Sequence, residues 1–210
     1  MERLPPFHLS VFVNCPFDAK YRPILEAVTF TAFDCGFVPR CAAEDADFGQ
    51  ERFSKIVEML KSCKYSIHDI SRVELDLSSR LPRFNMPLEL GVELGLRNSG
   101  NTKMRQKKTL VMDKERYRYQ KYISDIAGRD PQAHKNRPRK AIEVVRDWLR
   151  MASDDSRILG AAAIVEHYRE FRKQLPTIAA RKRLRTNPML FVEYANAASD
   201  WLKIKYPPQA

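Results

Sequence analysis

The alternation of short apolar strands with amphipathic helical segments is the feature that most constrains the fold of this chain. Four short segments are rich in β-branched and aromatic side chains and are predicted to be strands: residues 8–13, 37–42, 65–70 and 108–113. Helical spacing of apolar residues follows the first three, over residues 21–34, over residues 53–63 and from residue 85 onward. Such alternation with short connections is typical of a parallel sheet whose crossovers are right-handed. We therefore predict an α/β fold, a flavodoxin-like parallel sheet flanked by helices.

The second half of the chain differs in charge and in pattern. Residues 1–100 carry 12 Lys and Arg against 14 Asp and Glu, whereas residues 101–210 carry 25 against 12, so the net charge of +11 arises entirely in the second half. Three further helical stripes follow there. We predict an α/β domain over residues 1–135 and a helical, basic C-terminal extension over residues 136–210, packed on that domain or used for assembly. The positive charge indicates either an anionic partner or solvated helix faces.

Two features of this second half bear on partners. Aromatic and basic side chains alternate over residues 116–122, a pattern that is typical of nucleic-acid binding, so nucleic acid is a candidate partner of the basic half. Aromatic residues also lie on the amphipathic stripes, namely Trp148, Phe171 and Trp201. These stripes form either an intramolecular core or a homo-oligomer contact.

Composition narrows the functional classes further. No apolar run approaches the ~20 residues that span a bilayer, and the first residues lack the layout of a signal peptide. We expect a cytoplasmic protein with no membrane partner. The four cysteines show no C-x-x-C spacing and the four histidines form no pair, so we expect reduced thiols, no metal site and no bound cofactor.

The segment from Asn85 to Gly95 carries the clearest functional signal. Asn85 is predicted to be the N-cap of a helix, because Pro87 is tolerated only in a first turn. Glu89 would then lie near the positive end of the helix dipole, which favours an ionised carboxylate by about 0.3–1 kcal/mol. Gly91 and Gly95 each cost about 1 kcal/mol in a helix, which indicates close approach of a neighbouring element or a ligand. A packed helix with a solvated glutamate is the alternative.

Polar residues occur where the predicted strands end. Asn14, Arg40 and Asp69 end the first three strands, and Asn85 and Glu89 begin the helix after the third. Ligands of open parallel sheets bind outside the carboxyl ends of the strands, so we expect the amide of Asn14, the guanidinium of Arg40 and the carboxylates of Asp69 and Glu89 to converge on one crevice.

Each of these positions also has a structural interpretation. Asn14 could end a turn, Arg40 could pair with Glu44, and Asp69 could cap a turn. Glu93, one helical turn beyond Glu89, is a second candidate for the functional acid, although its deeper position gives it less support from the helix dipole.

The combination of Asp69-Ile70-Ser71 with Asn85-Met86-Pro87-Leu88-Glu89-Leu90-Gly91 resembles the nucleoside 2-deoxyribosyltransferase and TIR-like superfamily, in particular bacterial nucleotide-binding TIR-like proteins. The resemblance covers roughly residues 8–113. It implies cleavage of an N-glycosidic bond, in which a carboxylate stabilises the oxocarbenium-like charge on ribose. NAD⁺ is chemically the easiest substrate, because nicotinamide leaves as a neutral group.

The resemblance also assigns roles to the crevice residues. Glu89 would be catalytic, attacking or electrostatically supporting the anomeric carbon. Asp69 would orient a sugar hydroxyl or the base, Asn14 would receive ribose or phosphate, Arg40 would hold phosphate, and Asn85 would join the substrate site.

These roles predict a nucleotide-binding N-glycosidase, foremost an NAD⁺ hydrolase, and by association a bacterial defence or toxin system. The chain departs from the deoxyribosyltransferases at Arg83 and Phe84, where they place an acid, and this puts transfer between deoxynucleosides in doubt. The alternatives are a non-catalytic nucleotide sensor and a nucleic-acid-binding module that acts through the basic C-terminal half.

Overall fold

A five-stranded, all-parallel sheet forms the centre of the protein. The structure, a computed structural model, describes residues 4–44, 51–75, 80–126, 128, 130–186 and 188–207. The strands are β1 (Ser10–Asn14), β2 (Val38–Arg40), β3 (Tyr65–Asp69), β4 (Lys108–Asp113) and β5 (Gln132–Ala133). They lie in the order β2-β1-β3-β4-β5, which is the flavodoxin-like order. The predicted fold class is confirmed.

Seven α-helices accompany the sheet in the part of the chain that is described. They are α1 (Arg22–Asp34), α2 (Arg52–Ser62), α3 (Asn85–Ser99), α4 (Thr102–Arg105), α5 (Pro138–Ser153), α6 (Ala161–Arg181) and α7 (Phe191–Lys205). Short 3-10 helices cover Phe7–Leu9, Arg118–Lys121 and Ser124–Ile126. Of the helices described here, none has the length and apolar character needed to cross a membrane.

The two faces of the sheet pack against different helices. Val13 of β1 and Ile67 of β3 belong to the core cluster shared with α1 and α5. Phe12, the neighbour of Val13, packs instead with Ile56 and Leu60 of α2. This is the period-two alternation of a strand that is buried on both sides. Consecutive residues at the strand ends therefore face opposite layers.

Helices α6 and α7 add a further layer outside α1. The ring of Phe30 in α1 stacks on Phe171 of α6 with centroids 5.2 Å apart, and it lies 6.1 Å from the ring of Trp201 in α7. The Tyr194 hydroxyl of α7 donates to the Glu26 carbonyl at 2.9 Å. The C-terminal helices and the sheet thus share one hydrophobic core.

The start of α3 differs from the sequence prediction. The Leu88 N–H donates to the Phe84 carbonyl at 2.9 Å, so Phe84 occupies the N-cap position and Asn85 is the first helical residue. Asn85 is therefore not the N-cap, and the first turn contains no acidic residue. Glu89 begins the second turn, where the field of the helix terminus is weaker.

The prediction that a neighbouring element packs closely against Gly91 and Gly95 of α3 is wrong. A Cβ atom placed on Gly91 or Gly95 meets no atom within 4 Å in the described part of the protein. Both glycines are exposed, so packing between elements does not require them.

Candidate functional site

A cleft of about 550 Å³ opens where the topology of the sheet reverses. The chain leaves β1 toward β2 on one side and leaves β3 toward β4 on the other, so the crevice at the carboxyl ends of β1 and β3 is the switch point of the fold. Cys15, which follows β1, and Asn85 and Met86 of α3 line this cleft. Its volume lies in the range of small-molecule sites. Asn85 therefore lies where the sequence placed it.

Three arginines give the cleft a positive lining. Arg52 begins α2, Arg72 follows β3, and Arg83 precedes α3. The Arg72 Nη2 atom lies 3.0 Å from the Asp18 Oδ1 atom, which fixes that guanidinium at the cleft wall. Guanidinium groups beside the beginning of a helix provide the donors and the field that bind phosphate or carboxylate.

Sequence reasoning did not assign these arginines to the site. Arg52 and Arg72 belong to no motif and lie far apart in the chain, so no local signal identifies them. Arg83 carried a partial signal, because it is one of the departures from the resemblance. In the structure it lines this cleft and adds positive charge to it.

Glu89 is buried on the inner side of α3, with 6% of its surface exposed. Within the described part of the chain, no hydrogen bond or ion pair reaches its carboxyl group. Burial raises the pKa of Glu89 to about 7, and attraction to Arg52 opposes that rise. The expectation that the helix dipole keeps this carboxyl fully ionised is therefore wrong, because burial outweighs the dipole.

Glu93 has a different environment, although it lies only one turn further along α3. The Lys107 Nζ atom lies 3.3 Å from its Oε2 atom, and both side chains are fully buried. The hydroxyls of Ser66 and Thr109 donate to Oε1 at 2.8 and 3.1 Å. Side chains on and next to β3 and β4 thus hold Glu93, whereas no described side chain holds the Glu89 carboxyl in this way.

Asn14 joins the end of β1 to the start of α3. Its side-chain amide donates to the Met86 carbonyl at 3.1 Å and lies 3.0 Å from the Nδ1 atom of His68. Burial, with a smaller effect of Lys107, lowers the pKa of His68 to about 3, so the ring is neutral and accepts this hydrogen bond. Asn14 therefore positions the helix that carries Glu89.

Asp69 points to the other face of the sheet, into a buried network. Its carboxylate accepts from the Tyr21 hydroxyl at 2.7 Å and the Ser71 N–H at 2.9 Å, and the His134 Nε2 atom lies 3.0 Å away. Burial alone would raise the pKa of Asp69, but these contacts, foremost that of His134, hold it below its ordinary value. His134 accepts the Asn136 N–H at Nδ1, so its Nε2 atom carries the proton that faces Asp69.

Arg40 is held by Glu44, the pairing that sequence analysis left open, and does not line the cleft formed by the described residues.

Cys15 lines the cleft and lies close to two of the predicted carboxyl groups. Burial raises the pKa of the Cys15 thiol, and Asp69 and Glu89 add to that rise among its nearby charges. Of the predicted site residues, Asn85 thus lines the cleft, whereas Asn14 and Glu89 contact or interact with residues that line it, namely Met86 and Arg52.

The aromatic and basic segment over residues 116–122 is largely used inside the fold. The Arg118 guanidinium and the Tyr122 hydroxyl both donate to the Asp113 carboxylate at the end of β4, at 2.6 and 2.8 Å. Tyr119 is buried, whereas Tyr117 is exposed. The pattern that indicated nucleic-acid binding therefore contains residues with structural contacts.

Comparison with family models, with curated proteins and with solved structures finds no match to this chain. The function of the protein is therefore inferred from the geometry of the cleft and from the residues that surround it.

Proposed function

We propose that this protein is a nucleotide-binding N-glycosidase, with NAD⁺ as its substrate and Glu89 as the catalytic carboxylate. The observation that carries the proposal is the buried Glu89 carboxyl, which receives no hydrogen bond from the described residues and interacts electrostatically with Arg52, one of three arginines that line the cleft at the switch point. Burial makes this carboxyl costly to ionise despite its attraction to Arg52, and a further positive charge brought close to it lowers that cost.

The reaction develops such a charge. The bond between ribose C1′ and the pyridinium nitrogen breaks, and its electron pair leaves with neutral nicotinamide. Water then adds to C1′ and releases one proton, giving ADP-ribose. Ionised Glu89 stabilises the oxocarbenium character of the ribose more strongly than it stabilises bound substrate, which is the condition for a lower barrier. No metal is needed for this step.

In this proposal the three arginines of the cleft bind the phosphate groups of the substrate. Arg52, Arg72 and Arg83 face a cleft large enough for a nucleotide, and the diphosphate of NAD⁺ is the group that matches them. Replacement of Arg72 by Gln should raise KM with a smaller effect on kcat, since phosphate binding contributes to ground state and transition state alike. Such a split between KM and kcat would separate phosphate binding from chemistry.

Chromatographic measurement of NAD⁺ consumption tests the proposal. We expect Glu89→Gln to lower kcat by about 100-fold or more, on the order of the loss for other electrostatic stabilisers. Glu58→Gln, which changes an exposed glutamate of α2, is the matched control. Equal turnover by wild type and Glu89→Gln would contradict the assigned role of Glu89.

The pH profile provides a second test. Because the ionised carboxylate is required and its pKa in the free protein is about 7, kcat/KM should rise with pH up to about 7 and level off above it. A profile that falls over this range would assign Glu89 an acid role instead.

A non-catalytic nucleotide sensor is the second candidate. It is favoured by the internal hydrogen bonds of Asn14 and Asp69, which leave fewer groups free to orient a sugar. If NAD⁺ is not consumed, calorimetric titration with NAD⁺ decides between this candidate and no nucleotide function. Binding that weakens in Arg72→Gln would support the sensor.

A further inference from the structure

The outer edge of β4 is paired over only its last two residues. β5 pairs with Met112 and Asp113, and no other strand in the described part of the chain pairs along that edge. On the opposite edge, the Lys108 N–H donates to the Lys64 carbonyl and the Met112 carbonyl accepts from the Ile70 N–H, both at 2.9 Å. Since successive residues of a strand direct their backbone groups to opposite neighbours, Thr109 and Val111 point theirs to the outer edge. The parallel pairing of Met112 with Gln132 uses the Val111 carbonyl, so the groups that no described strand pairs there are the Val111 N–H and both backbone groups of Thr109.

A second cleft, of about 600 Å³, lies along this edge between β4 and α5. Its helical wall contains the apolar side chains of Val144, Trp148 and Met151. Met151 is 74% exposed although it is apolar. One side of the cleft therefore offers backbone donors and acceptors, and the other offers an apolar helix face.

The second cleft has a net positive lining, which favours anionic ligands. Arg116, Lys135 and Lys140 line it together with Asp130 and Asp147, so the basic groups are in excess. The whole chain carries +11. A second copy would bring the same charge to the edge, whereas an acidic partner is attracted to it.

We propose that the cleft between β4 and α5 binds an extended, acidic peptide segment of a partner protein, which adds to β4 as a further strand. Alternating N–H and C=O groups on an open edge are matched by another backbone, and pockets beside the edge select alternate side chains. The apolar wall of α5 receives one set of those side chains, and Lys140 with its basic neighbours receives the acidic ones. This inference does not depend on the nucleotide cleft.

A displayed library of random heptapeptides, selected on the full-length chain, tests the proposal. We expect the selected peptides to be enriched in Asp and Glu. Binding should slow hydrogen exchange of the Thr109 and Val111 amides, measured by NMR. Methylation of alternate peptide nitrogens should abolish binding in one register and spare it in the other, because only alternate N–H groups of an added strand face β4.

Matched charge reversals localise the contact. Lys140→Glu should weaken the selected peptides by about five- to tenfold, since an exposed attraction becomes a repulsion. Lys203→Glu changes the net charge equally at an exposed position of α7 and should leave affinity unchanged. Failure to select any peptide, equal loss in both variants, or protection of amides elsewhere than on β4 would each overturn the proposal.

Discussion

The Lys107 ammonium lies 3.3 Å from the Glu93 carboxylate, with both side chains fully buried between the sheet and the helices that cover it. Lys107 also donates to the Leu60 carbonyl at 2.6 Å and to the Cys63 carbonyl, so it satisfies acceptors at the end of α2. One side chain thereby connects the α2 end to α3. Removal of either charge would leave its partner buried and uncompensated.

Lys107→Met should lower the free energy of unfolding by about 3–5 kcal/mol, because Glu93 would keep a buried charge without its counterion. Urea denaturation at neutral pH measures the loss. Lys108→Met, at the exposed neighbouring position, should change stability by less than about 0.5 kcal/mol. The double variant Lys107→Met with Glu93→Gln should recover part of the loss. A double variant as unstable as the sum of the single changes would contradict coupling of the pair.

The stability of Glu89→Gln relative to wild type should increase with pH. The ordinary pKa of a glutamate, 4.5, applies to the unfolded chain, whereas the pKa of folded Glu89 is about 7. Between these values the unfolded chain has lost the proton that the folded protein keeps, so the wild-type free energy of unfolding falls as pH rises and is constant above pH 7. Gln has no such proton.

Urea denaturation of both proteins at several pH values measures this difference, which should grow by about 3 kcal/mol at most between the two pKa values. Glu58→Gln changes an exposed glutamate, and its difference in stability from wild type should stay constant over that pH range. A difference in stability between Glu89→Gln and wild type that stays constant from acid to alkaline pH would mean that the pKa of Glu89 is not raised in the folded protein.

Tyr21→Phe should cost about 1.5–3 kcal/mol, the range for a hydrogen bond to a charged group. The lost bond joins the Tyr21 hydroxyl to the buried Asp69 carboxylate at 2.7 Å. Thermal and urea unfolding measure the cost. Tyr117→Phe removes a hydroxyl from a side chain that is 57% exposed and should have little effect. Equal stability of the two variants would mean that the hydrogen bond from Tyr21 to Asp69 contributes nothing to stability.

Asn14→Ala should destabilise the protein by about 1–3 kcal/mol, because the buried Met86 carbonyl loses its donor. The neutral His68 ring loses the same donor. Asn98→Ala, at an exposed position of α3, is the control and should stay within about 0.5 kcal/mol. An Asn14→Ala protein with unchanged unfolding would show that the bridge between β1 and α3 is not a stabilising contact.

The fold class was predictable because four strands and their intervening helices follow clear periodicities. β5 was not, since Gln132 and Ala133 are too few residues to display a period. Its position depends on distant partners, including the contact of His134 with Asp69. No pattern along the chain reports a pairing of that kind.

The site was only partly predictable for a related reason. The sequence indicates where polar side chains follow strands, and Asn85 lies at the cleft as expected. It does not indicate which hydrogen bonds those side chains make, and Asn14 and Asp69 use theirs internally. For Glu89, the helix dipole is a local property of the sequence, whereas desolvation depends on the packing of α3 against elements distant in sequence.

The contacts of Phe30 with the rings of Phe171 and Trp201 have a consequence for biosynthesis. While the chain emerges from the ribosome, the outer face of α1 stays uncovered until α6 and α7 have been made. Nascent chains that stop short of Trp201 expose this aromatic surface and are prone to aggregate or to recruit chaperones. Productive folding around the cleft at the switch point is therefore coupled to the synthesis of α6 and α7, although every residue that lines this cleft precedes them in the chain.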